Sequence, residues 1–188
     1  MDKPAGRLIY VCGPSGVGKD ALLRVARERL QTRGFVFAER AITRAPHGSE
    51  KHIPMSEEEF GAAARAGLFC MQWDSHGLRY GIPARLRQDL ATGSHVVVNG
   101  SREYVAAARL TFPHLLCVMV SAPAEVLAAL RQARGQRLAE IEADVVHENH
   151  GDLAASGEAF VALLLRLGRE GNAAPGEATP PPDPAARR

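Results

Sequence analysis

The chain has 188 residues, 46% of them hydrophobic, and a net charge of +2 at pH 7, which suits one domain with a sizeable core. So small a charge gives no argument for nucleic acid as a partner. With no apolar run of about 18 residues and no signal-peptide pattern at the N-terminus, no membrane partner is expected and the protein is read as cytoplasmic.

Leu8 to Cys12 is a short apolar run that predicts a buried strand. Gly13-Pro14-Ser15-Gly16-Val17-Gly18-Lys19 follows directly and matches G-x-x-x-x-G-K. Asp20 to Gln31 then predicts a helix with apolar positions at Leu22, Leu23, Ala26 and Leu30. Strand, glycine loop and helix in that order make a phosphate-binding P-loop. The loop's N–H groups would cradle ATP phosphates at the helix N-terminus, and Lys19 would supply an ammonium for the β- and γ-phosphates. The expected ATP site is therefore Gly13, Pro14, Ser15, Gly16, Val17, Gly18, Lys19 and Asp20. The residue after the lysine is usually Ser or Thr, whose hydroxyl ligates Mg²⁺. Asp20 stands there instead, and a carboxylate can hold a hard cation or merely favour the helix start by its charge. The residues alone leave both open.

Phe35 to Ala38 predicts a second strand, and 40–50 a polar loop broken by Pro46 and Gly48, offering Thr43, Arg44 and Ser49 to a phosphate. His47 and His52 lack ligand spacing. Ser56 and Glu59 form a capping-box pair ahead of a helix ending near Gly67. Leu68–Trp73 and Leu78–Ile82 predict a hairpin around Asp74-Ser75-His76-Gly77; Trp73 and Tyr80 would line a pocket or a small core. Pro83 predicts the start of a helix over 84–90. His95 to Asn99 is a β-branched strand leading into Gly100-Ser101-Arg102, where the carboxyl ends of an open sheet face a ligand.

A helix is predicted over 102–110, a strand over 115–120 and a helix over 123–132. The last strand lies near Val145-Val146 or is missing. Arg131, Arg134 and Arg137 recur every three residues around a glycine break, as a solvated face or as a lid that neutralises a transferring phosphoryl group. His147-Glu148-Asn149-His150 is not a metal motif. A final helix is predicted over 156–167, and 171–188 is too rich in Pro, Gly and Ala to bury a core and is expected to be disordered. The three cysteines, Cys12, Cys70 and Cys117, show neither metal nor disulfide spacing and read as packing groups.

Alternating strands and helices with a P-loop on the first predict an α/β fold with a parallel sheet. Residues 43–82 resemble the substrate-binding insertion of guanylate kinases, with Thr43-Arg44-Ala45-Pro46-His47-Gly48-Ser49-Glu50 similar to T-R-x-P-R-x-G-E and Tyr80-Gly81 at the family's Y-G. The chain resembles more closely the ribose 1,5-bisphosphate phosphokinases, guanylate-kinase-like enzymes of bacterial phosphonate catabolism. Gly13-Pro14-Ser15-Gly16-x-Gly18-Lys19-Asp20, Arg40-x-Ile42-Thr43-Arg44, Gly48-Ser49-Glu50-x-His52-Ile53, Ser56-Glu57-x-Glu59-Phe60, Gly77-Leu78-x-Tyr80-Gly81 and Val97-Val98-Asn99-Gly100-Ser101-Arg102 carry that likeness over residues 8 to 102.

The resemblance implies a three-layer P-loop kinase sandwich, with a core over 1–42 and 83–170, the insertion over 43–82 and a short lid at about 131–140. It implies transfer of the ATP γ-phosphoryl group, with Mg²⁺, to ribose 1,5-bisphosphate, a small phosphorylated sugar. Asp20 would help to place Mg²⁺. Arg44, Ser49 and Tyr80 would hold a substrate phosphate, Asn99, Ser101 and Arg102 would border the acceptor, and Arg134 and Arg137 would join Lys19 in catalysis. The lid departs from the pattern: the second arginine is displaced to Arg137, and Asp144 stands where an arginine is expected, opposing phosphate if it faces the site. A guanylate or other nucleoside-monophosphate kinase is one alternative, disfavoured by Asn99 where guanylate kinases tend to carry Asp. A non-catalytic guanylate-kinase-like module is another, disfavoured by the intact Lys19 and glycines.

Overall fold

The computed structural model describes residues 5–45, 51–134 and 141–170. The predicted Leu8–Cys12 strand, β1, is buried at all five positions. Such a strand has both faces covered, as interior strands of parallel sheets do. It lies at the centre of a five-stranded sheet with β2 (Phe35–Phe37), β7 (His95–Asn99), β8 (Leu116–Ser121) and β9 (Val145–Glu148), in the order β2-β7-β1-β8-β9. Every pairing in it is parallel, with Val11 opposite Asn99 on one side and Val118 on the other.

Period-two alternation along β1 sorts its side chains onto two cores. Ile9 and Val11 pack beneath α1 (Lys19–Leu30) and α6 (Leu153–Glu170), with Leu127 and Leu130 of α5 (Ala124–Arg134) against the same cluster. Leu8, Tyr10 and Cys12 face α3 (Leu86–Ala91), α4 (Val105–Thr111) and the hairpin residues Met71 and Trp73. Cys12 and Cys117 are fully buried, their sulfurs 3.7 Å apart across neighbouring strands. This is the expected three-layer arrangement.

A second sheet, in the order β4-β3-β6-β5, is built from β3 (Ala41–Ile42), β4 (Ile53–Pro54), β5 (Phe69–Ser75) and β6 (Leu78–Pro83). The sequence predicts loop throughout 40–50, but Ala41 and Ile42 are fully buried and pair with Gly81 and Tyr80. The hairpin turn is tighter than predicted: Asp74 and Ser75 pair with Arg79 and Leu78, leaving only His76 and Gly77 at φ 52° and 73°. That is the left-handed backbone of a two-residue turn. Pro83 does not open a helix. It closes β6 opposite Phe69, beyond the reach of β3, where no partner requires the N–H it lacks.

Between β4 and β5 in the chain, α2 (Glu57–Arg65) starts with the predicted capping box: Ser56 Oγ accepts from Glu59 N–H and Glu59 Oε2 accepts from Ser56 N–H. The last helix begins earlier than its apolar stripe suggests, because Asp152 Oδ1 accepts from the N–H groups of Ala154 and Ala155. The uncertain last strand is β9, at the sheet edge beside β8. The tail expected over 171–188 lies outside the described residues. Among the described residues no helix is long and apolar enough to cross a membrane.

Candidate active site

The P-loop leaves the carboxyl end of β1 and turns directly into α1. Gly18, at φ 84°, is the residue before the helix, and its left-handed backbone aims the first helical N–H groups into the loop. Val17 is buried in the core. Its carbonyl accepts from Asn149 Nδ2 at 2.8 Å, and the Asn149 backbone N–H is held by Ser121 O at 2.9 Å. The end of β9 thus braces the loop from behind. Sequence reading missed this role for Asn149, because its partner is 132 residues away.

Lys19 and Asp20 meet a third residue, Asn99, at the carboxyl end of β7. Lys19 Nζ donates to Asn99 Oδ1, and Asn99 Nδ2 donates to Asp20 Oδ1 at 2.9 Å. Lys19 Nζ also lies 3.5 Å from Asp20 Oδ1. Burial lowers the Lys19 pKa, with the Asp20 charge working the other way. Burial also opposes ionisation of Asp20, but the Lys19 ammonium and the Asn99 amide outweigh it and hold the carboxyl below its usual value.

These residues open onto one cavity of about 680 Å³. The P-loop, Lys19 and Asp20 line one side; Arg40, Arg44, Trp73, Ser75, His76 and Tyr80 line the side made by the second sheet. Gly100, Ser101, Arg102 and Glu103 complete it. Trp73 is sandwiched between two tyrosines: Tyr80 stacks 5.4 Å away at 5° and Tyr104 5.2 Å away at 27°. The Arg40 guanidinium sits 5.5 Å over the far ring, Tyr80, and donates to the Asn99 carbonyl at 3.3 Å. A planar cation on a ring face keeps its charge available to an anion.

Arg102 is 8% exposed, with Glu103 3.8 Å away. Its loop is fixed by Tyr10, whose hydroxyl donates to Ser101 O at 2.9 Å, and by Ser101 Oγ, which accepts from Tyr104 N–H at 3.3 Å. A Cβ on Gly100 would overlap the Tyr10 ring, so only glycine lets the strand end pass so close.

Of the expected residues, the P-loop positions, Arg44, Tyr80, Ser101 and Arg102 therefore converge, with Val17 turned into the core. Asn99 sits beneath the cavity against Lys19 and Asp20. The Thr43 hydroxyl, offered to a phosphate, instead accepts from Arg79 N–H at 2.9 Å. Ser49, His47 and Arg137 lie outside the described residues. Arg134 is the last residue of α5, with its side chain also outside them. Asp144 lies at the amino end of β9, away from the carboxyl ends that carry the cavity. Sequence reading had not singled out Arg40, Ser75 or His76 for the site; the only trace was Arg40 in a family block.

No protein-family model matches the chain. Its sequence is similar to that of the ribose 1,5-bisphosphate phosphokinase PhnN of Thiobacillus denitrificans, 45% identical over 177 residues that cover 85% of this chain and 93% of the relative. The protein of the same name from Acidiphilium cryptum is 44% identical over 174 residues, covering 86% and 94%. Among solved structures, the guanylate kinase of Anaplasma phagocytophilum matches with a TM-score of 0.68 at 19% identity, over 89% of each chain. At that identity the match speaks for the fold alone, a P-loop kinase sandwich. The sequence relatives reach further, and the chain belongs to the ribose 1,5-bisphosphate phosphokinase family.

Proposed function

We propose that the protein transfers the γ-phosphoryl group of ATP to ribose 1,5-bisphosphate, giving 5-phospho-α-D-ribose 1-diphosphate and ADP. The observation that carries this reading is a single cavity that joins an intact P-loop to Arg40, Arg44 and Arg102, in a chain 45% identical to a relative of that name. The acceptor is a phosphate oxygen, already ionised at neutral pH, so the protein needs no strong general base. Its work is alignment and charge neutralisation.

Lys19 binds the β- and γ-phosphates and follows the charge that develops between them. Arg44 and Tyr80, with Ser49, hold the acceptor's far phosphate. Arg102 and Ser101 border the phosphate that attacks, and Arg40 adds positive charge from above the Tyr80 ring. Arg134 and Arg137 act from the lid.

Asp20 suits Mg²⁺: it is a hard oxygen donor on the phosphate cavity, and its described contacts all fall on Oδ1. Mg²⁺ needs only one or two carboxylates beside the phosphates and its waters. When bound, it supplies neutralisation of the phosphate oxygens.

The test is an assay with Mg²⁺-ATP that offers ribose 1,5-bisphosphate and GMP in parallel. Formation of the ribosyl diphosphate alone is expected. GDP formation without it would reassign the chain to nucleoside-monophosphate phosphorylation.

A further inference from the structure

P-loop enzymes commonly hold the nucleotide's metal with a Ser or Thr after the lysine and an Asp at the end of a nearby strand. In this chain both positions differ, and they differ together. The residue after Lys19 is Asp20. The end of β7, the parallel neighbour of β1, carries Asn99, opposite Val11 in the register. The two side chains are hydrogen-bonded at 2.9 Å. The negative charge has not been lost from the site. It has crossed one hydrogen bond, from the strand to the helix.

We infer that Asp20 and Asn99 form one reciprocal unit, in which Asp20 carries the metal-holding carboxylate and Asn99 positions both Asp20 and Lys19. This rests on the ATP reading proposed above. An amide is the side chain that can do so, because it presents an acceptor to the Lys19 ammonium and a donor to the Asp20 carboxylate at once. A carboxylate at position 99 has no hydrogen to give Asp20. It would set two like charges within hydrogen-bond distance, one of which resists ionisation. A hydroxyl at position 20 removes that conflict. Asp at 99 is therefore excluded only while Asp20 is present, and the two residues are interchangeable as a pair and not singly.

The test compares wild type with Asp20→Ser, Asn99→Asp and the double exchange. Mn²⁺ affinity is followed by electron paramagnetic resonance with AMP-PNP present, and metal-free AMP-PNP affinity is measured in EDTA. Asp20 has a side chain 71% exposed, so its replacement leaves the fold intact, and melting curves of all four proteins check this. Asp20→Ser is expected to weaken Mn²⁺ binding about tenfold or more, the scale on which a site's supporting groups act. Asn99→Asp is expected to weaken metal-free AMP-PNP binding, since a second carboxylate competes with phosphate for Lys19. The double exchange is expected to restore both affinities to within about threefold of wild type, a recovery that independent effects do not produce.

Wild-type Mn²⁺ affinity in Asp20→Ser, or a double variant no better than its worse parent, would overturn the inference while leaving the ATP reading intact. Failure of the wild-type protein to bind AMP-PNP at all would overturn both.

Discussion

Asp144 Oδ2 lies 2.8 Å from Arg109 Nη2, and the same oxygen accepts the Cys117 backbone N–H at 2.7 Å. The acidic residue that stands where the family resemblance led to an arginine is thus tied to the amino end of the sheet, where it orders the start of β9 against β8. It does not face the phosphate cavity. Asp144→Asn is expected to lower stability by about 1–2 kcal/mol, the scale of a charged hydrogen bond that is partly open to solvent. Its kcat should stay at the wild-type value. Urea melts and steady-state rates separate these two effects; a large fall in kcat at unchanged stability would return Asp144 to the site.

Lys19 is a nearly buried cation whose pKa is lowered by desolvation, so the apoprotein gains little stability from its charge. Lys19→Met is expected to reduce kcat by about 10²–10³, as removal of a transition-state charge donor does. The melting temperature should not fall. A variant that melts early and turns over normally would show the lysine to be structural.

Trp73 is the chain's one tryptophan, and it lines the cavity between Tyr80 and Tyr104. Acceptor binding at Tyr80 and Arg40 is expected to change its fluorescence, giving a saturable signal that ATP alone does not reproduce. Trp73→Ala removes the ring that both tyrosines stack on and is expected to cost about 3–5 kcal/mol.

Tyr10→Phe deletes only the hydroxyl that holds Ser101 O. A loss of about 1 kcal/mol in stability is expected, with a raised KM for the sugar substrate and an unchanged KM for ATP. Equal changes in the two constants would mean that the Ser101-Arg102 segment does not address the acceptor.

The His147 ring packs 5.1 Å from Phe160. Burial holds its pKa below the ordinary value of 6.5, against a hydrogen bond with the Ser156 backbone, and nearby His150 lowers it further. As the pH falls through that ordinary value, the unfolded chain takes up a proton that the folded chain resists. Stability therefore falls with it, and the loss is complete below the folded-state pKa. His147→Phe should flatten the dependence of melting temperature on pH between about pH 7 and 5. An identical slope in both proteins would assign the effect elsewhere.

The parts legible in the sequence are those whose physics is local. Gly13 to Lys19 encode the loop by spacing, Ser56 and Glu59 cap a helix three residues apart, and β1 is read from five apolar residues in a row. The two-residue strands β3 and β4 were not legible, because two residues are too few to show an alternation; pairing of Ala41 and Ile42 with Gly81 and Tyr80 on one side and with Ile53 and Pro54 on the other creates them. The same holds in the site. Asn99 was found as a strand-end residue, but its place between Lys19 and Asp20 depends on which strand neighbours β1. Asn149 and Arg40 gain their roles only when distant segments meet. Whether Asp144 faces the site was left open by the sequence for the same reason, since alignment gives a position and not a direction.

The placing of β1 at the middle of the sheet also has a consequence for how the protein is made. Its flanking strands come much later in the chain: Arg7 meets His95 across 88 residues, and Cys12 meets Cys117 across 105. A ribosome therefore extrudes the P-loop long before either neighbour of β1 exists. Until β7 and β8 follow, five apolar residues stand without partners, and closing such long loops makes folding slow. β1 is synthesised before either of the strands that secure it, and the nascent chain depends during that interval on whatever shields an unpaired strand from its own kind.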